Sequence, residues 1–425
     1  MYVLTRMRPV AALALAVFPI HCFPVAAAAS AAPPPPTSRG EAVVPPNTDN
    51  IEECNAPSLS DVAGIDAEQS CIRHDGITRC WYTYIPETVR AAAATGNATV
   101  PLVLDLHGYN LCASQSARYT GWDRVADQYG FVVVYPQGNL NADYSNDPSW
   151  DFGMCCSSIG SPANEGEWPP PANINDRGFL RQLVSNAVSS ASNEEGIMVD
   201  TKRLYFAGHS NGCMMSQAMA ALESDLVAAV CCHASSLMVP PADNYVPTSV
   251  QVVYGDLDVT IGMFFGSNDH ILDTWGNINQ CTANTSTVAD SGRYVTHTLS
   301  NCTEDTVVET VEVYNVGHFS YLGIPPENEF TIAEYPGAIT PEVDTTLLSW
   351  EFCSRFTSDV KPALPSPAQL VPADTFASIE PTMRPTGGGG DEEITPSSSS
   401  FLLVASRLLR SLAIPSLLGA YMYLN

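Results

Sequence analysis

The chain has 425 residues, 45% hydrophobic and 15% charged, enough for one large or two modest globular domains. Acidic residues outnumber basic ones 45 to 18, and the formal charge of −27 excludes a nucleic-acid partner and adhesion to anionic lipid by charge alone. Thirty-three prolines and the low charged fraction exclude a coiled coil or helical array.

Residues 1–29 read as a secretory signal peptide: Arg6 and Arg8 precede an apolar stretch too short to span a bilayer, and small residues follow at 26–29. Residues 30–50 are a proline-rich linker, with four consecutive prolines at 33–36. Thirteen cysteines less Cys22, which falls in the signal, leave twelve, an even number suited to a disulfide framework in an oxidising compartment. One bridge is readable from geometry. Asp75-Gly76 is a preferred two-residue hairpin turn, and counting outward sets His74 against Ile77 and Cys71 against Cys80 as a close non-hydrogen-bonded pair. The other ten cysteines leave their connectivity open. Cys155-Cys156 and Cys231-Cys232 are vicinal and lack the spacing of metal ligands, so no metal is expected. Asn97, Asn284 and Asn301 begin N-glycosylation sequons.

Residues 51–358 form one block of alternating strands and helices. Short apolar runs bounded by turn residues at 102–106, 131–135, 204–207, 227–231, 250–254 and 307–314 suit buried parallel strands. Between them Phe179, Leu180, Leu183, Val184, Ala187 and Val188 recur at helical spacing. The alternation predicts an α/β fold, a doubly wound and mostly parallel sheet flanked by helices and stapled by disulfides. Residues 359–400 read as a Pro/Ser/Gly-rich linker. The apolar tail 401–425 carries Arg407 and Arg410 and fits a GPI-attachment signal, a membrane-surface helix or a plain secreted tail.

The chemistry gathers at predicted strand ends. Residues 204–207 run into Gly208-His209-Ser210-Asn211-Gly212, and a helix pattern follows. Strand, G-x-S-x-G and helix make a nucleophile elbow of the α/β-hydrolase type, a sharp turn that lifts the serine hydroxyl above the sheet. A serine needs a base, and the base an orienting carboxylate, in the chain order Ser, acid, His. Asp256 and Asp258 follow the 250–254 strand, and both remain candidates for the acid. Of the histidines beyond them, His297 sits in an alternating surface strand and His270 caps or lines the cleft. His318, in a loop past the last strand, is the base. Backbone N–H groups of Asn211 and of Tyr109, in His107-Gly108-Tyr109 after the first strand, are the expected oxyanion hole.

Beyond the elbow, several features recur in order: the hairpin His74-Asp75-Gly76, Thr120-Gly121-Trp122, Gly130-Phe131, Trp150, Cys155-Cys156, Asn175-Asp176-Arg177-Gly178, the elbow itself, Trp275 with Cys281, and Gly317-His318. In these the chain resembles the secreted polyhydroxybutyrate depolymerase, feruloyl esterase and acetylxylan esterase group of the α/β-hydrolase superfamily. The resemblance puts the nucleophile on Ser210, the base on His318 and the acid on Asp258. Tyr254 replaces the histidine usual in the acid motif, and the tryptophan usual after the catalytic histidine is missing. The resemblance implies a serine carboxylic-ester hydrolase that needs no cofactor. Its partner would be a polymeric ester, either feruloyl- or acetyl-decorated polysaccharide or polyhydroxyalkanoate. A non-catalytic surface-binding protein on the same scaffold is the alternative of another class. Trp275, Trp168 and Tyr109 are expected as a substrate wall, with core packing as the competing role, and residues 156–172 as a lid or surface excursion.

Overall fold

Asp75 and Gly76 both hold the positive φ that a tight hairpin turn requires, 48° and 81°. They join β1 (Gln69–His74) to β2 (Ile77–Tyr84) in the predicted register, and Cys71 and Cys80 are bonded. The computed structural model describes Cys54 and residues 56–96, 99–138, 148–152, 175–260, 269–323, 342–360 and 362–372, all within the unit Asn47–Asn425. The signal and linker assigned to 1–50, Asn97, Cys155, Cys156, Trp168, the 156–172 segment and the 401–425 tail lie outside the described residues.

After the hairpin come α1 (Glu87–Ala93), β3 (Thr99–Leu106), α2 (Ala113–Thr120), α3 (Trp122–Tyr129) and β4 (Val132–Pro136). Then follow α4 (Asp176–Glu195), β5 (Met198–Gly208), α5 (Asn211–Leu222), β6 (Ala229–His233) and β7 (Ser249–Gly255). The last are α6 (Asp269–Ile278), β8 (Ala283–Val288), β9 (Tyr294–Ser300), β10 (Val308–Val313), α7 (Thr345–Cys353) and β11 (Leu370–Val371). The eleven strands among the described residues share one sheet, ordered β11-β1-β2-β4-β3-β5-β6-β7-β10-β9-β8. The run from β4 to β10 is parallel, and the flanking pairs at both ends are antiparallel.

Both faces of the central strands are buried, which is why their sequences read as continuous apolar runs. Leu102, Leu104 and Leu106 of β3 face α4 and α5 with Leu204, Phe206 and Val230, whereas Val103 packs with Val133, Tyr205, Ala229 and Trp350 on the other side. Successive strand residues point to opposite faces. The vicinal pair on β6 uses this directly: Cys232 bonds Cys213 of α5 and Cys231 bonds Cys353 of α7, so one strand is stapled to a helix on each face. Cys54–Cys112 and Cys281–Cys302 bring the described disulfides to five.

The predicted linker at 359 starts too early. Residues 362–372 run along α4, where Gln182 donates to Ser366 O, Ser185 to Pro365 O and Asn186 to Ala368 O. They end as β11 paired with β1. Polar side chains on α4 satisfy the backbone of this proline-rich segment and hold it against the domain.

Candidate active site

Strand order brings the predicted loops together. The chain steps from β3 outward to β4 and then returns to add β5 on β3's other side, a switch point where the loops diverge and leave a crevice. Leu106 and Gly208 are paired at the ends of β3 and β5, so the His107–Asn110 loop lies beside the elbow. Gly255 and Val313 are likewise paired at the ends of β7 and β10, which sets the Asp258 and His318 loops side by side.

Ser210 is half-buried with φ 51° and ψ −115°, a conformation that L side chains adopt only where the surroundings enforce it. Its N–H donates to His233 O (2.9 Å), and helix α5 starts at the next residue. Gly212 makes the turn possible: a Cβ there would collide with the carbonyl oxygens of Leu106 and His107. Asn211 opens α5, so its N–H lies in the helix's first turn, where amides aim at developing negative charge. Its side chain does something the sequence did not reveal. Oδ1 accepts from Trp150 N (2.8 Å) and Nδ2 donates to Trp150 O (3.2 Å), while the Trp150 indole N–H donates to His107 O (3.0 Å). The helix start is thereby tied to the loop that carries Tyr109, itself half-buried.

His318 Nδ1 lies 2.9 Å from Asp258 Oδ2, with both side chains buried. A carboxylate only accepts, so Nδ1 carries a proton, and in the neutral imidazole the lone pair then falls on Nε2, the tautomer that a general base requires. Asp256 is exposed and accepts instead from Val316 N (3.3 Å). The His318 ring also sits 4.7 Å from that of His209, the residue preceding Ser210.

The other expected residues disperse. Trp275 is fully buried on α6, its indole donating to Gln217 Oε1 of α5 (2.7 Å), so it packs the core and the substrate-wall reading is corrected. An apolar ring with one satisfied N–H is as well suited to a core as to a cleft, and only packing separates the two. His270 is exposed at the start of α6, and His297 lies on β9 beside Ser286 (2.8 Å). Asn284, on the outermost strand β8, and Asn301 are exposed. Among the described residues no cluster of His, Cys, Asp or Glu fits a metal ion.

His107 holds the loop from below. Its Nε2 accepts from Gly138 N (2.8 Å), so Nδ1 carries the proton and donates to Gly108 O (2.8 Å). Burial pushes this imidazole down from 6.5 to about 4. The unfolded chain takes up the proton near pH 6.5 and the fold only near pH 4, so stability present above pH 6.5 is lost as pH falls toward 4. A His107→Gln variant lacks this sensitivity. Its stability deficit against wild type should shrink by about 3 kcal/mol between roughly pH 7.5 and pH 4, read by urea unfolding at each. A deficit unchanged by pH would show that the fold does not depress the protonation of this ring.

The strand order, the helix layers and the elbow after β5 define an α/β-hydrolase fold. No family model matches the chain. The chain is similar to the bifunctional acetylxylan esterase/xylanase XynS20E of Neocallimastix patriciarum, 27% identical over 205 residues, covering 47% of this chain and 23% of that protein. It is also similar to a poly(3-hydroxybutyrate) depolymerase of Ralstonia pickettii, 30% identical over 166 residues, covering 38% and 29% respectively. Among solved structures, the acetyl xylan esterase from Aspergillus awamori aligns over 63% of this chain and 98% of its own, with a TM-score of 0.40 and 15% identity. The chain spans less than half the length of the curated relatives named here.

Proposed function

We propose that this protein is a secreted carboxylic-ester hydrolase working through a Ser210–His318–Asp258 triad and an acyl-enzyme. The observation that carries the reading is the buried His318–Asp258 pair on loops adjoining a serine held in elbow geometry. Ser210 Oγ attacks the ester carbonyl carbon while His318 Nε2 takes its proton, and Asp258 stabilises the imidazolium. The N–H groups of Asn211 and Tyr109 receive the oxyanion, an effect commonly worth about 3 kcal/mol for each donor. Collapse expels the alcohol, which leaves with the proton from His318. Water, deprotonated by the same nitrogen, then attacks the acyl-serine, releases the carboxylic acid and restores Ser210.

The relatives' names favour a polymeric ester, with acetyl groups on polysaccharide first and polyhydroxyalkanoate as the second reading, favoured by the Ralstonia relative; feruloyl groups on polysaccharide enter from the sequence resemblance alone. Five disulfides among the described residues support passage through an oxidising compartment. N-glycans at Asn97, Asn284 and Asn301 belong to the same reading, as does a C-terminal GPI anchor.

A fluorophosphonate probe tests the nucleophile: labelling should map to Ser210, and a protein that resists it while a control esterase reacts would end the esterase reading. Release of acetate, ferulate or hydroxybutyrate from matched polymers ranks the substrates. For the acid, Asp258→Asn should lower kcat by about 10⁴-fold, as expected when the imidazole loses its tautomer partner. Asp256→Asn should stay within about threefold of wild type, since its side chain serves only a loop amide. The reverse order of losses would transfer the role.

A further inference from the structure

The residue between Gly208 and Ser210 is a buried histidine, and the proposed triad does not use it. His209 is 1% exposed. Its Nε2 lies 2.9 Å from the backbone oxygen of His318. A carbonyl only accepts, so Nε2 carries the proton and donates it. The other nitrogen, Nδ1, is buried with no hydrogen-bond partner and lies against Gly108, where an added Cβ would stand 3.0 Å away. Phe319, directly after His318, packs its ring 4.4 Å from the same imidazole. One ring therefore meets the loop of the proposed base at two points, abuts the loop of the proposed oxyanion donor, and is covalently next to the nucleophile.

We infer that His209 is a positioning residue, which fixes the base relative to the nucleophile by donating from Nε2–H to the backbone carbonyl of His318. This rests on the triad reading above. The need for such a device follows from the topology. Ser210 follows β5 and His318 follows β10, with β6 and β7 lying between those strands in the sheet, so the strands themselves do not set the distance between the two loops. A base about an ångström from its productive place costs roughly a hundredfold in rate. A hydrogen bond from the residue beside the serine to the main chain of the base spans that gap by the shortest covalent route. A ring that charged there would repel the imidazolium formed at His318 during catalysis. Burial, reinforced by the neighbouring His318, pushes His209 down to about 3, so it stays neutral at working pH.

Two conservative variants separate positioning from packing. Glutamine places its amide nitrogen about where Nε2 sits, whereas asparagine places it about where Nδ1 sits. With the full-length protein and p-nitrophenyl acetate, His209→Asn should lower kcat at least tenfold with KM within about twofold, and His209→Gln should recover to within about threefold of wild type. Thermal melts and circular dichroism accompany both. If the asparagine variant does not fold, His209→Phe replaces it, keeping the ring against Phe319 but lacking the donor, and the same tenfold loss is expected. Equal losses for Asn and Gln in step with their melting temperatures would overturn the inference in favour of packing. A fully active His209→Phe would overturn it outright. Wild type that neither hydrolyses esters nor labels at Ser210 would instead remove the triad reading, and this inference with it. Labelled wild type beside an unimpaired His209→Phe would sink the inference alone.

Discussion

Alanine at Ser210 is expected to reduce kcat on a small carboxylic ester by roughly 10⁴- to 10⁶-fold, with KM changed little. The loss is that large because no other group can form the acyl-enzyme, and what survives is catalysis by the oxyanion donors and by binding alone. Alanine at His318 should fall in the same range. The double variant should lose hardly more than either single one, since a nucleophile without its base and a base without its nucleophile are equally idle. Initial rates at matched concentrations of folded protein check all three. Retention of more than about one per cent of kcat by His318→Ala would mean that another base serves Ser210. A double variant far worse than either single one would mean that the two side chains act separately.

The largest effect on stability is expected at Arg79→Met. The Arg79 and Asp176 side chains are 3% and 0% exposed and their charged groups lie 2.5 Å apart, with the Arg79 guanidinium also 4.0 Å above the Phe179 ring. Asp176 accepts a second bond from Asp151 N (2.6 Å). Burial pushes the Asp176 carboxyl up, and Arg79 pulls it only partly back. Removing the cation leaves a buried charge uncompensated, which costs about 3–5 kcal/mol. Replacing both partners, as Arg79→Met with Asp176→Leu, should recover much of that, because the desolvation of both ions is avoided together. Urea unfolding of the three proteins gives the answer. A single variant within about 1 kcal/mol of wild type would show that water reaches the site. The pair joins β2 to the start of α4 and to the segment holding Trp150, so the single variant should also loosen the support of the proposed oxyanion loop.

Much of this molecule is local chemistry written in short stretches. Asp75-Gly76 determines a hairpin and its register, because positive φ at both positions permits one tight turn, and that register alone places Cys71 against Cys80. The apolar runs of β3 to β7 determine buried parallel strands, and the glycines around Ser210 determine the elbow. Each of these follows from the conformations a few neighbouring residues allow.

What only the tertiary structure decided is pairing over distance. Cys231 and Cys232 look like one vicinal motif, yet they bond partners on opposite faces of the sheet, because a strand turns alternate side chains outward in opposite directions. Asp256 and Asp258 are two residues apart on one loop, and only the packed fold buries one against His318 while the other meets solvent. Trp275 reads equally well as cleft wall or core until its neighbours are known. His209 has no signature beyond its place within the elbow, since the carbonyl it serves lies 109 residues further along the chain. Backbone preferences act over a few residues and can be read from the sequence, whereas these contacts depend on which distant segments share a side of the sheet.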